Sequence, residues 1–231
     1  ALVTDALQAS GASDSAARIT AKYLVAADVQ GLGTHGVVRV PAYCDHLKSG
    51  RARGNAVPRI ANEKAAVCLI DAGHGLGFEP SELALAEAIA RASEHGIGFA
   101  GVMNSHHCGA LGILLESVAA RGMVGLAFSN APAAIMAWRG KRPLLGTNPV
   151  AAIFPRKNGA PLVIDMSLTQ VTRGQILLYA NAGKPLPDGW GMDQAGHQPT
   201  DPPKILVGGG LHARGGLKGT MLALAVEILC C

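Results

Sequence analysis

Short apolar runs alternate with longer helical patterns along most of this chain, and glycine closes the helices. Asp14 to Val29 reads as an alanine-rich helix closed by Gly31 and Gly33. Val67 to Ala72 reads as a strand, and Glu79 to His95 as a helix stopped by Gly96. Ile97 to Ser105 reads as a strand, Gly109 to Arg121 as a helix ending at Gly122, and Met123 to Asn130 as a strand. Val150 to Pro155 and Pro161 to Ser167 look like two more strands. After Asn181 the chain turns rich in Gly, Pro and Asp, and Leu217 to the end is helical again. Each element must bury an apolar face against another, so the pattern predicts an α/β or α+β protein. The alternation by itself favours a parallel sheet.

Composition fits a buried core. Of 231 residues, 49% are hydrophobic and 16% charged, which excludes a disordered chain. The net charge of +4 comes from dispersed basic residues, so no Lys/Arg run points to nucleic acid. A mild positive excess suits small anions such as phosphates and carboxylates. Gly, Arg, Asn or Glu breaks every apolar stretch before membrane-spanning length, and no signal peptide is evident at Ala1. The five cysteines are Cys44, Cys68, Cys108, Cys230 and Cys231. They are odd in number and lack C-x-x-C spacing. This predicts free thiols in a reducing cytoplasm, and no zinc or other metal site.

Chemistry concentrates in Asp28 to Tyr43. On a helix His35, Arg39 and Tyr43 fall at i, i+4 and i+8 and share one face. A guanidinium can hold a carboxylate with two parallel bonds, and an imidazole can pass a proton near neutral pH. The ligand such a face suggests is a carboxylate next to a carbonyl or imine. The same spacing also describes a solvated helix face. Pro41 lacks an N–H and would clash with the Val37 carbonyl, so the helix either kinks there or starts late.

A second cluster, Asn104-Ser105-His106-His107-Cys108-Gly109-Ala110-Leu111, sits where a strand hands over to a helix. Backbone N–H groups there can meet a phosphate or carboxylate, and His107 can reach a substrate or nicotinamide. Helix capping plus one packed histidine is the plainer alternative. Gly73-His74-Gly75-Leu76-Gly77-Phe78 follows a strand and precedes a helix. Phe78 replaces the third glycine of a dinucleotide fingerprint, and Ser105 stands where an acid should end the next strand. The turn keeps only weak phosphate-binding potential. A P-loop is absent.

An ordered set of motifs resembles the type 2 malate/L-lactate dehydrogenase family of non-Rossmann NAD(P)H-dependent oxidoreductases. The set runs from Ala27-Asp28, Gly31, Thr34-His35-Gly36, Arg39 and Tyr43 to Asn104-Ser105, His107 and Gly109. It continues through Gly146-Thr147-Asn148-Pro149 and Val163-Ile164-Asp165-Met166-Ser167. It ends with Gly189-Trp190, Asp193, Thr200-Asp201-Pro202 and Gly215-Gly216-Leu217-Lys218-Gly219. The resemblance covers nearly the whole chain.

It implies a mixed α/β fold with a mostly antiparallel cofactor-binding sheet flanked by helices, not a doubly wound Rossmann sheet. Residues 1–60 would form a helical N-terminal region carrying the catalytic His and Arg, and 61–231 the cofactor-binding sheet domain. The resemblance implies His35 as proton donor with Thr34 as its hydrogen-bonding neighbour. It places Arg39, Tyr43, His107, Thr147 and Arg173 at the substrate. It places His107, Cys108, Gly109, Ala110, Leu111, Asp165, Met166, Ser167, Gly216, Lys218 and Gly219 at NADPH or NADH. The expected reaction interconverts a 2-oxo acid and a 2-hydroxy acid in a cytoplasmic homodimer, without nucleic-acid or membrane partners. The alternatives are reduction of a cyclic imino acid, and a chain that holds cofactor without turnover. Thr34 stands where Ser is common and keeps the hydroxyl. Gln175 stands where imino-acid reductases carry an acid, and Gln cannot be a charged partner. Family members extend beyond the helix that ends here at Cys231, so a C-terminal completion of the substrate-side domain is expected to be missing.

Overall fold

The structure is a computed structural model that describes residues 1–231. The chain forms two compact units, Ala1–Gly125 with Ala152–Val163, and Leu126–Ala151 with Ile164–Cys231. The class is mixed α/β, with helices and three small sheets, none closed into a barrel.

The first unit opens with helices α1 (Leu2–Ala9), α2 (Asp14–Val29) and α3 (Val40–Lys48). Helix α2 starts where the Ser13 hydroxyl accepts the Ala16 N–H at 3.2 Å, satisfying one of the orphan donors of the first turn. Strands β1 (Arg59–Lys64), β2 (Val67–Asp71) and β3 (Phe99–Met103) form a sheet in that order. The β1–β2 pair is antiparallel and the β2–β3 pair is parallel, with Ile70 opposite Val102. Helix α4 (Phe78–His95) makes the crossover between β2 and β3 and ends on the left-handed Gly96. Cys68, Ile70 and Ala84 pack between helix and sheet with Leu83, Ala100 and Val102. Phe78, only 1% exposed, begins α4 and stacks on Tyr23 at 5.7 Å, with Tyr43 edge-on at 6.1 Å. Burying such a ring contributes roughly 1.5–3 kcal/mol, and it ties α2, α3 and α4 together.

The segment from Gly109 to Arg121, expected as one helix, is two short ones, α5 (Leu111–Leu114) and α6 (Glu116–Ala119). At Leu115 the ladder tightens, because its carbonyl accepts the Val118 N–H at 2.9 Å. The Ser117 hydroxyl also donates to the Leu114 carbonyl at 3.3 Å, competing with the helical ladder.

Strands β4 (Gly125–Phe128), β7 (Val150–Phe154) and β8 (Leu162–Met166) form a second sheet in the order β4-β7-β8. The third sheet lies in the second unit. Its order is β6 (Pro143–Leu145), β5 (Ile135–Met136), β10 (Gly210–Leu211), β9 (Gly191–Met192). Here β5–β6 and β9–β10 are antiparallel and β5–β10 is parallel. The unit also holds α7 (Arg173–Asn181), α8 (Pro202–Leu206) and α9 (Leu217–Leu229). One cluster there joins Val171, Ile176, Leu186, Ile205 and Leu211; another joins Ile135, Leu145, Leu168, Ala223 and Val226. Parallel and antiparallel pairs coexist, so neither a doubly wound sheet nor one continuous antiparallel sheet is formed. No helix is long and apolar enough to cross a membrane.

The glycine-rich turn before α4 serves backbone approach. His106 N–H donates to the Gly75 carbonyl at 3.2 Å, and Gly77 N–H to the His107 carbonyl at 3.3 Å. A Cβ on Gly77 would overlap the His106 carbonyl oxygen. The glycine at 77 is therefore accounted for by close packing against the His106-His107 backbone. Gly77→Ala should lower stability by about 1–3 kcal/mol, the range for forced overpacking. A urea midpoint unchanged from the parent would show that the turn can yield.

Candidate active site

Helix α2 ends on the residues that build the site. Asp28 Oδ2 accepts the Val37 N–H at 2.9 Å, and Gly36 lies so close that a Cβ would overlap the Asp28 carboxylate. Between them the chain makes two tight 3₁₀ turns, Gly33–His35 and Val37–Arg39, with Gly36 extended between them. Helix α3 then begins at Val40, with Pro41 in its first turn. His35, Arg39 and Tyr43 are thus not on one continuous helix. The extended Gly36 breaks it, and Pro41 sets a late start, where its missing N–H is harmless.

The turns nevertheless gather the expected side chains. Thr34 Oγ1 lies 3.0 Å from His35 Nδ1. Arg39 Nε donates to the Thr34 carbonyl at 2.7 Å, which fixes the guanidinium while its outer fork can still face a carboxylate. The His35 and His107 rings stack at 5.7 Å with 21° between planes. Tyr43, 3% exposed, places its hydroxyl 2.6 Å from His107 Nδ1. Gly109 N–H donates to the same nitrogen at 3.1 Å. His107 retains solvent-accessible surface. Even so, desolvation, then the positive charges of Arg39 and His35, push its pKa down to about 4. Burial raises the Tyr43 phenol far above its ordinary value, so it stays protonated.

The His107 segment is held from behind. Asp71 Oδ1 accepts both the Asn104 side-chain amide and the Gly73 N–H at 3.0 Å. These bonds, with Arg59, hold its carboxyl below the usual range. Asn104, at φ 54°, accepts the His74 N–H at 2.7 Å through its carbonyl. The Ser105 hydroxyl turns back to the His106 carbonyl at 3.1 Å. The His106 ring lies 5.9 Å from that of His46 on α3. None of the five cysteines, Cys108 among them, is in a disulfide, and Ala110 leads into α5, where Leu111 is buried. Sequence reasoning placed no weight on Asp71, whose position at a strand end was its only signal.

The remaining expected residues belong to the second unit, where three motifs converge on Leu168. Its N–H donates to the Thr147 carbonyl and its carbonyl accepts the Arg214 N–H, each at 2.9 Å. This sets Thr147, the strand end Asp165-Met166-Ser167, and the Gly215–Gly219 turn beside one another. Ser167 Oγ lies 2.5 Å from Thr169 Oγ1. The buried Asn148 donates to the Ala223 carbonyl at 2.8 Å and to Glu227 at 2.7 Å, pinning the Thr147 loop to α9. Glu227 is a contributor that sequence reasoning did not find; it sits alone as the acid of an apolar helix. Arg173 starts α7 and donates to the Leu206 carbonyl at 3.3 Å.

A nicotinamide dinucleotide fits these donors. Helix α9 begins at Gly216 with no side-chain cap, and Lys218 is exposed in its first turn. Uncapped N–H groups and an ammonium suit a phosphate. Gly219 lies so close to the Arg214 carbonyl that a Cβ would overlap it. Met166 and Ser167, at least partly exposed at the end of β8, offer an apolar surface and a hydroxyl to a flat ring. No group of three or more His, Cys, Asp or Glu is placed to hold a metal ion. Two cavities, of about 330 and 390 Å³, are lined by residues between Tyr179 and Pro203 and between Glu116 and Pro161, and neither is lined by His35 or His107.

The fold is that of known acid dehydrogenases and imino-acid reductases. A solved Δ1-piperideine-2-carboxylate reductase from Pseudomonas syringae pvar. tomato superposes with a TM-score of 0.96 at 33% identity. That match covers 100% of this chain and 69% of the other. A (2R)-3-sulfolactate dehydrogenase (NADP(+)) from Chromohalobacter salexigens is 42% identical over 99% of this chain and 68% of its own length. A Δ1-pyrroline-2-carboxylate/Δ1-piperideine-2-carboxylate reductase from Pseudomonas putida is 36% identical over 96% of this chain and 65% of its own length. The malate/L-lactate dehydrogenase family model matches residues 1–231, and the chain belongs to that oxidoreductase family. It spans about two thirds of the length of these curated relatives.

The depressed His107 pKa links folding to pH. Between its ordinary 6.5 and about 4 the unfolded chain binds more protons than the folded one. Its contribution to stability is therefore present above pH 6.5 and declines as pH falls towards 4. Denaturant titrations across that window should show this decline, and His107→Gln should flatten it; an equal slope in both proteins would contradict the assignment.

Proposed function

We propose that this chain carries the site of an NAD(P)H-dependent oxidoreductase that interconverts a 2-oxo acid and a 2-hydroxy acid. The observation that carries the reading is the stacked His35–His107 pair beside an Arg39 whose Nε is already tied down. Arg39 would take the substrate carboxylate through its outer fork, which fixes the orientation of the adjacent carbonyl. His35, with Nδ1 on the Thr34 hydroxyl, would give the proton on Nε2 to the carbonyl oxygen. His107 would contribute a neutral N–H donor. When bound, the nicotinamide supplies the hydride to the carbonyl carbon. One carbonyl, one hydride and one proton yield one hydroxyl, and the reverse reaction returns the proton to His35. Thr147 and Arg173 would complete the substrate side. His107 to Leu111, Asp165 to Ser167, and Gly216, Lys218 and Gly219 would hold the cofactor. On this reading residues 1–60 carry the proton donor and the carboxylate clamp, and 61–231 the cofactor-binding part.

The relative from Chromohalobacter salexigens, named for an NADP(+)-dependent sulfolactate reaction, supports both a hydroxy acid and a phosphorylated nicotinamide. The reductases from Pseudomonas support the second reading, a cyclic imine in which His35 would protonate nitrogen. Gln175, exposed on α7, weighs against it, because an amide cannot balance a charged histidine. Nicotinamide absorbance followed over pyruvate, oxaloacetate, sulfopyruvate and the two cyclic imines separates the readings. Turnover of imines alone would reject the first, and cofactor binding without turnover of any would reject both.

His35→Ala should lower turnover by ~10²–10⁴-fold, the usual contribution of a general acid, with cofactor affinity little changed. Arg39→Lys keeps the charge but loses the planar fork. It should therefore raise the Michaelis constant for the acid far more than that for the cofactor. Equal losses for both ligands would place Arg39 in the framework instead.

A homodimer is also proposed. Helix α9 buries Ala223 and Val226 but leaves Met221, Leu222, Leu224, Ile228 and Leu229 between 39% and 69% exposed. An apolar face of that kind favours association, most simply as a two-fold pair. A sedimentation mass of one chain at micromolar concentration, in buffer that keeps Cys230 and Cys231 reduced, would reject it.

A further inference from the structure

We infer that the turn Trp138-Arg139-Gly140-Lys141-Arg142 receives the adenosine end of the cofactor. Trp138 lies under the base, Arg139 and Arg142 meet a 2′-phosphate, and the chain therefore selects NADPH over NADH. The inference rests on the proposed cofactor role of Gly216, Lys218 and Gly219.

The fold brings this turn to the head of α9. Strands β5 and β10 are parallel neighbours, with Leu211 opposite Ile135, so their C-terminal ends point the same way. Strand β5 runs into the turn, and β10 runs through His212 and Arg214 into Gly215-Gly216 and α9. Loops at the carboxyl ends of adjacent parallel strands are where open sheets place ligands. The Trp138 indole reaches the second loop. Its Cζ3 and Cη2 atoms would stand 3.3 and 3.6 Å from a Cβ on Gly216. Gly216, at φ 62°, has no side chain there. The ring thus lies against bare backbone at the uncapped start of α9, and Trp138 remains 48% exposed.

Hydrogen bonding fixes which end of a dinucleotide belongs at this ring. Successive N–H groups of an extended segment point to opposite edges. Leu211 donates to the Ala134 carbonyl at 2.7 Å, on the β5 edge. His212 and Arg214 donate to the Trp190 and Leu168 carbonyls at 3.1 and 2.9 Å, on the other edge. Trp138 and Ser167 therefore flank opposite edges of the segment that leads into α9. Thr147, proposed for the substrate, bonds Leu168 on the Ser167 side. The ring that reacts belongs with the substrate. With the pyrophosphate at the α9 start, the adenosine falls to the Trp138 side.

Charge supplies the selectivity. Residues 137–142 and 214–219 include Arg139, Lys141, Arg142, Arg214 and Lys218 and no acid. These cations are exposed, and none forms an ion pair. The Lys141 stem packs along Gly196, 3.3 Å from where a Cβ would stand, which commits it to the neighbouring loop. Arg139 follows Trp138 in the turn that Gly140 N–H closes on the Ala137 carbonyl at 2.7 Å. It and Arg142 keep their guanidinium forks for a ligand. A guanidinium matches a phosphate with two parallel bonds, and the ribose 2′-phosphate is the group that NADPH has and NADH lacks.

Isothermal calorimetry with 2′,5′-ADP and 5′-AMP tests this without nicotinamide, substrate or turnover. The parent should bind 2′,5′-ADP at least ~10-fold tighter than 5′-AMP, the effect of hydrogen bonds to a charged group. Arg139→Ala combined with Arg142→Ala should erase most of that preference. Trp138→Ala should weaken both ligands by a similar factor, roughly 5–150-fold, the range for losing one base–aromatic stack. Trp138→Phe keeps a ring and should restore most of the affinity. Equal parent affinities, or no binding of 2′,5′-ADP, overturn the inference. So does a preference that survives the arginine changes, or a folded Trp138→Ala protein that binds as the parent does. The parent comparison and the arginine variant decide even if Trp138→Ala fails to fold. A preference for 2′,5′-ADP in a protein that turns over no 2-oxo acid rejects the proposed function and leaves this assignment standing. Turnover with NADH and NADPH alike, without that preference, does the reverse.

Discussion

The site depends on two backbone segments lying against each other with no side chain between them. The turn Gly75-Leu76-Gly77 and the segment His106-His107 exchange hydrogen bonds of 3.2 and 3.3 Å. That distance is available only to glycine at position 77. The contact sets the height of His107 above α4, and Phe78, the next residue, fixes the ring floor beneath Tyr43 and Gly109. Moving this segment by a methyl group would break the Tyr43 bond and the histidine stack together. A glycine pattern that invites a phosphate reading on sequence is here the packing condition for the His106-His107 segment.

The second constraint is the Asp28 carboxylate. It ends α2, receives the Val37 N–H, and leaves no room for a side chain at Gly36. Two 3₁₀ turns follow because the chain must fold tightly around that carboxylate before α3 can start. The result is a rigid presentation of His35 and Arg39 on irregular backbone. Loops carry catalytic groups well only when a scaffold over-determines them. Here the scaffold is α2 on one side and the β2–α4–β3 unit on the other.

Much of this was legible in the residues. The α2 reading matched at both ends, and α4 and α9 matched to within two residues, because α2 has the Ser13 cap, α4 the Gly96 stop, and α9 a long apolar run that follows Gly215-Gly216. Strands β2, β3, β4, β7 and β8 stood out as apolar runs of strand length, whereas β1, the longest, was missed because Arg59–Lys64 is mostly polar and exposed. The third sheet did not stand out either, because strands as short as Ile135–Met136 and Gly210–Leu211 carry no period at all. Their pairing comes from tertiary packing around Ile135, Leu145 and Leu211. The helical face drawn through His35, Arg39 and Tyr43 picked out side chains that do lie near one another, but with the wrong geometry. Spacing registers proximity in sequence, whereas Gly36 and Pro41 decide the path. The Tyr43–His107 bond joins residues 64 positions apart, which no local pattern encodes.

The two motif asparagines show how a motif mixes chemistry with shape. Asn104 and Asn148 both have positive φ, 54° and 38°, a region asparagine tolerates better than most residues. Each side-chain amide then anchors the turn that its backbone makes, Asn104 on Asp71 and Asn148 on the Ala223 carbonyl and Glu227. Each precedes or follows a proposed ligand-binding residue by a few positions, His107 in one case and Thr147 in the other. Glu227 extends the second anchor by also accepting the Gly146 N–H at 3.3 Å. An alanine at either position would lose the anchor and disfavour the backbone conformation together, so its effect on activity would arise from displacement of the neighbour. Polar residues in such motifs therefore divide by hydrogen-bond partner. Those bonded inward to strands and helices hold shape, and those on the His35–Arg39 face are the ones to which the proposed chemistry falls.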